Sequence, residues 1–149
     1  MKQSTFVIAR FLLALTICAA MGCSQAPTRH ARSCYHASEP DETEIGYCQA
    51  IRSGNRLYIS GTVGWGEMPA AVKMAYDRLQ KTLEANGLTF ADVVEERVFT
   101  TDLDAFKASK DIRKVYYGST FPAATWVQVQ RLFVPQLVVE VELVAEYPE

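Results

Sequence analysis

The residues best suited to chemistry in this chain are two carboxylates. Glu140 and Glu142 stand in 137-LVVEVELVA-145, which reads as a β-strand, and strand side chains two residues apart share one face. Val139, Val141 and Leu143 then take the other face. A carboxylate beside apolar walls ionises less readily and can pass protons. Two ordinary glutamates on a solvated face are the plainer reading of the same pattern. Tyr47 opens the first strand of the folded region, where its hydroxyl can meet a ligand or simply pack. Ser60, in 60-SGT-62, ends a strand next to a helix. Its hydroxyl and the nearby amides can hold an anion or serve as a cap. The stretch 121-FPAATWVQVQRL-132 alternates as a strand entered through Pro122, with Val127 and Val129 on one face and Trp126, Gln128 and Gln130 on the other. Ala123 and Ala124, at its mouth, have no charge and no hydrogen-bonding side chain. Trp126 faces with position 124 and offers an apolar or stacking wall. Arg131 falls with Val127 and Val129, so it cannot stand in for a group at 124 without a bulge. Arg97 sits mid-strand, and both arginines suit a strand surface.

Several chemistries are set aside by what the chain lacks. Its two histidines, His30 and His36, lie in a polar N-terminal stretch, which leaves no Ser-His or Cys-His nucleophile inside the domain and gives no metal site. Cys18, Cys23, Cys34 and Cys48 show no C-x-x-C spacing. Cys34 and Cys48 either pair in an oxidising compartment or remain two thiols. No phosphate-cradling glycine loop appears, so no nucleotide cofactor is expected. A formal charge of -2 without a basic stripe gives no reason to expect nucleic acid as a partner.

The positioning elements follow from length and periodicity. The 149 residues, 49% hydrophobic, suit one domain with a real core. Residues 1–22 read as an export signal, with Lys2 and Arg10 ahead of an apolar run too short to span a bilayer. The run ends in 20-AMGC-23, similar to a bacterial lipobox although Ala20 replaces the usual leucine, which makes Cys23 a lipidation candidate. Ala-Met-Gly also suits the ordinary signal peptidase. The expected location is periplasmic or, through a lipid anchor, the outer membrane, with the signal or anchor as the only membrane contact. Residues 23–44 read as a flexible linker and 45–149 as the domain. Two strands joined at 52-RSGN-55 form a hairpin. A helix from Pro69 to Asn86 buries Val72, Tyr76, Leu79 and Leu83. Thr89 and Asp92 form a capping pattern before a strand over 93–100. Asp102 caps a helix over 103–117 with Ala105, Ala108, Ile112, Val115 and Tyr116 inward, and two strands close the chain. The order ββαβαββ predicts an α+β fold, a mixed sheet with two helices on one face.

Several stretches together resemble the Rid family, the YjgF-type imine and enamine deaminases: 57-LYISG-61, 81-KTLEANGLTFADVVEERVFTTDLDAF-106, 121-FPAAT-125, 131-RL-132 and 138-VVEVELVA-145. The likeness runs from Ile45 to Ala145. It implies a chorismate-mutase-like fold, a homotrimer with clefts between subunits, a small-molecule ligand, and no metal or organic cofactor. It also implies hydrolysis of 2-imino or 2-enamino acids to 2-keto acids and ammonia. In the family an arginine after Pro-Ala grips the substrate carboxylate, a last-strand glutamate positions water, and an early tyrosine lines the cleft. The glutamate position falls on Glu140, the tyrosine on Tyr47 without its usual preceding proline, the strand-end pair on Ser60-Gly61, and the arginine on Ala124. Alanine cannot make a bidentate clamp on a carboxylate. The chain therefore resembles a branch lacking that arginine, with altered or reduced deaminase activity. The alternative is a small-metabolite-binding trimer of the cell envelope that turns nothing over.

Overall fold

The computed structural model describes residues 31–148. The export signal, Cys23 and residues 23–30 of the expected linker lie outside the described residues. Six strands make one mixed sheet in the order β1-β2-β3-β6-β4-β5. They are β1 Arg32–Tyr35, β2 Ala50–Ser53, β3 Arg56–Trp65, β4 Val93–Thr100, β5 Ala123–Gln128 and β6 Leu137–Glu146. Only β4 and β5 pair in parallel. The helices are α1 Glu39–Ile45, α2 Met68–Ala85, α3 Leu103–Ala108 and α4 Lys110–Tyr117. The β2–β3 hairpin turns on Gly54, whose φ of 64° favours glycine. Helix α2 buries Val72, Tyr76, Leu79 and Leu83 as its spacing predicts, and packs them on β3 and β6. After it, the Thr89 amide donates to Asp92 Oδ2 at 2.7 Å, closing the capping box on the 3-10 turn Phe90–Asp92.

Three expectations need correction. First, regular structure is present before Ile45, because part of the expected linker is β1 and α1. Apolar periodicity does not mark this segment, since a buried carboxylate holds it. Glu42 accepts hydrogen bonds from the amides of Ala37 and Ser38 at 2.9 Å, from Gln49 N at 3.0 Å and from His36 Nδ1 at 2.8 Å. Burial works against its ionisation, but these donors outweigh it and hold its pKa below the ordinary value. Cys34 and Cys48 form a disulfide across the same segment. Second, residues 103–117 are two helices that meet at Ser109. Phe106, Ser109, Arg113 and Tyr117 are the buried positions, whereas Ala108 is exposed and Val115 is 81% exposed. Third, β5 ends at Gln128, so Arg131 is exposed in the loop before β6 rather than on a strand.

The second correction has a physical cause in β4. Val93, Glu96, Val98 and Thr100 point into the core, so a charged residue occupies an inward position. Around the fully buried Glu96, Oε2 accepts from Tyr76 and Tyr117 hydroxyls at 2.7 Å each and from Arg113 Nε at 3.3 Å. Oε1 accepts from Trp126 Nε1 at 3.0 Å. Arg113 Nη2 lies 3.0 Å from Oε1, in ion-pair contact without hydrogen-bond alignment. The guanidinium also stacks over Tyr117 and Trp126, 4.8 and 5.3 Å from their ring centres. Helix α4 is rotated so that Arg113 meets this carboxylate, and Val115 is turned out to solvent.

Removing one partner of a buried ion pair leaves an uncompensated charge. Arg113→Ala should therefore cost about 3–5 kcal/mol in urea unfolding. The double replacement Glu96→Leu with Arg113→Met should not recover that loss, because it leaves the Tyr76, Tyr117 and Trp126 donors without their acceptor. A cost below about 1 kcal/mol for Arg113→Ala, the range of a surface pair, would contradict the account of this cluster.

Candidate functional site

Helix packing covers one face of the sheet and leaves the other open. Along β6, Leu137, Val139, Val141, Leu143 and Ala145 are buried, and Val138, Glu140, Glu142, Val144 and Glu146 are half-buried. Glu140 and Glu142 thus share the open face, as their spacing predicts. Glu140 is opposite Val63 of β3 and Phe99 of β4, and Glu142 is opposite Arg97. Arg97 is already engaged, its Nη2 lying 2.7 Å from Glu95 and its Nη1 3.8 Å from Glu142.

The local backbone sets Glu140 apart. β3 bulges between Ile59 and Thr62, which places Ser60 and Gly61 in the irregularity. Gly61 has no Cβ, and the Glu140 side chain crosses the space a Cβ would fill. A Cβ there would overlap Oε1 and come within 2.6 Å of Cδ and 2.8 Å of Cγ. A glycine inside a strand often marks such a close approach. Burial first, and the charge of Glu142 second, raise the pKa of Glu140. Among the described residues no side chain or amide donates a hydrogen bond to this carboxylate, so nothing offsets the desolvation.

Ser60 supports the bulge. Its hydroxyl donates to the Cys48 carbonyl at 2.7 Å and its amide to the Gln49 carbonyl at 2.9 Å. The hydroxyl is therefore a structural tie here and is not aimed at a ligand. Tyr47, 39% exposed, lies in the connection between α1 and β2 rather than opening a strand, and borders a cavity of about 510 Å³ together with Gln49, Gly61, Thr62, Arg78 and Lys81. Burial, then the charges of Glu42 and Asp41, raise its pKa and keep the phenol protonated. Gly61 links the two groups, since it borders the Tyr47 cavity and underlies Glu140. A larger depression, about 670 Å³, lies between α2 and α4 and contains none of these residues.

The remaining candidates lie elsewhere. In the parallel β4–β5 pair, Ala124 is in register with Glu96 and Trp126 with Val98, which puts both on the helix-facing side of the edge strand. Ala124 is exposed. Trp126 is held inward by its bond to Glu96 and an edge-on contact with Phe106, 5.1 Å between ring centres. Gly61 thus touches both Glu140 and the Tyr47 cavity, but Glu140 does not line that cavity, and Ala124 and Trp126 are not brought to either group. Residue spacing missed Gln49, whose Nε2 donates to Thr62 Oγ1 at 3.0 Å beside the bulge. Cys34 Sγ, Cys48 Sγ and a His36 ring nitrogen lie within 4.8 Å of one another. The sulfurs are bonded to each other, whereas the metal-binding form of cysteine is the free thiolate.

Comparison with known proteins gives the family of this fold. The family described as Endoribonuclease L-PSP matches residues 36–147. The chain is 31% identical over 114 residues to the RutC family protein YjgH of Escherichia coli, covering 71% of this chain and 86% of that one. It is 30% identical over 95 residues to the 2-iminobutanoate/2-iminopropanoate deaminase of Dermatophagoides farinae, covering 58% and 74% of the two chains. Among solved structures, a member of the YjgF/YER057c/UK114 family from Mycobacterium tuberculosis superposes with a TM-score of 0.72 at 30% identity, over 78% of this chain and 99% of that one. With its α+β mixed sheet and this extent of match, the chain belongs to the YjgF/RidA family, whose model carries the endoribonuclease L-PSP description.

Proposed function

We propose that this protein is a Rid-type hydrolase of imines or enamines, working as a homotrimer in the cell envelope on substrates without an α-carboxylate. The observation that carries this reading is the Glu140 carboxylate. It is half-buried over Gly61, has no hydrogen-bond donor among the described residues, and its pKa is raised. Such a group accepts a proton from water more readily than an ordinary glutamate does. In the proposed reaction Glu140 takes a proton from water as the oxygen attacks the imine carbon. The C=N π pair moves to nitrogen, which takes up the proton held by Glu140 and so restores the carboxylate. The resulting carbinolamine expels ammonia and leaves a carbonyl compound. Tyr47, with its phenol kept protonated, lines the approach to this water.

The substrate class rests on position 124. Arg97 is engaged by Glu95 and Glu142, and Ala124 carries no charge. On the open face beside Glu140 a substrate carboxylate would therefore lack a charge-assisted bond, worth about 1.5–3 kcal/mol or roughly ten- to over a hundredfold in affinity. The half-buried and exposed apolar residues on the open face, among them Tyr58, Val127, Val138 and Val144, support a second subunit as its cover. Ala124 is exposed on the helix-facing side of the edge strand, so it can approach Glu140 only as part of a neighbouring subunit. Residues 1–22 and Cys23 are the basis for the envelope location.

The test compares two imines made in situ, 2-iminobutanoate and the imine of a simple aliphatic amine. The native protein should hydrolyse the second faster than the first. Ala124→Arg should raise turnover of 2-iminobutanoate about ten- to a hundredfold, and Glu140→Gln should abolish turnover of both. Gly61→Ala should also lose turnover while staying folded, because the added methyl displaces only the end of a flexible side chain. Native-like turnover by Glu140→Gln would overturn the reading. Ligand binding without turnover in the native protein would favour the binding-module alternative.

Stability gives a separate check. The folded pKa of Glu140 is raised, so above that value the folded state carries a charge it disfavours. Glu140→Gln should raise the melting temperature at neutral pH. The gain should vanish as the pH falls below about 4.3, where both states are protonated. A lower melting temperature at neutral pH would contradict the assigned shift.

A further inference from the structure

We propose that the Cys34–Cys48 disulfide is a thiol–disulfide exchange centre for low-molecular-weight dithiols, with His36 as its proton-transfer group. The hydrolytic reading makes no use of this array. Cys34 is exposed on the edge strand β1 and Cys48 is half-buried just before β2, so the bond is within reach of a small reagent. His36 Nε2 lies 2.9 Å from Cys34 Sγ, and Nδ1 lies 2.8 Å from Glu42 Oε2. Glu42 is 3% exposed and is fixed by the amides of Ala37, Ser38 and Gln49. An ionised carboxylate only accepts hydrogen bonds. It therefore requires the ring proton on Nδ1 and fixes Nε2 as the nitrogen facing sulfur. A bridge that serves only as a brace needs no imidazole on its sulfur; Glu42 both anchors the segment and holds that imidazole in place. Glu42, His36 and Cys34 form a positioning group, a proton carrier and a sulfur in sequence.

The exchange step balances as follows. One thiolate of the dithiol attacks Cys48 Sγ, and the Sγ–Sγ bond breaks. Its electron pair goes to Cys34 Sγ, which takes the Nε2 proton of His36 in its doubly protonated form, the ring keeping its Nδ1 proton on Glu42 and regaining the other from solvent. The second thiolate of the same dithiol attacks its own sulfur in the mixed disulfide, and Cys48 leaves with the electron pair and a solvent proton. The dithiol is oxidised to a cyclic disulfide by two electrons, and the cysteine pair is reduced by two. In the reverse direction neutral His36 accepts the Cys34 proton at Nε2. This produces the thiolate that attacks a disulfide substrate.

The experiment treats the purified full chain with dithiothreitol under native conditions, quenches with acid and alkylates. Peptide mapping then follows residues 34 and 48 separately from Cys18 and Cys23. The bridge should open without denaturant, and His36→Ala should slow opening about a hundredfold or more, the lower end of the range for a lost acid–base group. In the reduced native chain, iodoacetamide should alkylate Cys34 at least about tenfold faster than Cys48. A bridge that opens only when the chain unfolds would overturn the proposal, as would native opening rates in a folded His36→Ala. If His36→Ala does not fold, the native chain decides alone. Equal alkylation of the two cysteines overturns the proposal, and selective alkylation of Cys34 supports it.

Discussion

The carboxylate of Glu96 is the contact on which the layering depends. It gathers donors from α2 through Tyr76, from α4 through Arg113 and Tyr117, and from β5 through Trp126. Burying that charge costs several kcal/mol, so the cluster stabilises the fold only when all its donors are in place. Once they are, the cluster fixes the rotation of α4 and holds the edge strand β5, which has only β4 beside it. Arg113 and three aromatic side chains are drawn into the helix-facing layer. The open face is left with Glu95, Arg97, Glu140 and Glu142, and with the apolar groups between them.

Three carboxylates in partly or fully enclosed settings therefore have different uses. Glu96 and Glu42 are each surrounded by donors and act as structural anchors. One joins the helices to β5, and the other joins the N-terminal segment to Gln49 at the start of the hairpin. Glu140 has no donor among the described residues, and only the bare backbone of Gly61 lies beneath it. The number of hydrogen bonds received distinguishes a carboxylate that braces the fold from one left free to exchange a proton. The fold isolates Glu140 with small means: a bulge in β3, a glycine within it, and Ser60 tied back to Cys48.

Much of this was legible in the sequence where periodicity carries the information. Alternation in 137–145 gave the face of Glu140, helical spacing gave the stripe of α2, and Thr89 with Asp92 gave the turn before β4. The misreadings share one cause. Periodicity assumes that apolar residues face inward, and in two places polar residues do. Glu96 and Arg113 occupy inward positions because they satisfy one another, which shifts the buried stripe of residues 103–117 away from Val115. Glu42 orders a segment whose composition reads as linker. The sequence also placed Ala124 and Trp126 on one strand face correctly. It could not show that this face is the one turned toward the helices, because that depends on the register with Glu96 and Val98.

The most direct measurement is a carbon-13 NMR titration of the Glu140 side-chain carboxyl, assigned through Glu140→Gln and repeated in Glu142→Gln. A midpoint clearly above about 4.3, the ordinary glutamate value, is expected. It should fall only partway in Glu142→Gln, since burial is the larger cause of the shift. A midpoint at or below the ordinary value would mean that the carboxylate is solvated or hydrogen-bonded like its neighbours, and would contradict its role as the proton acceptor of the site.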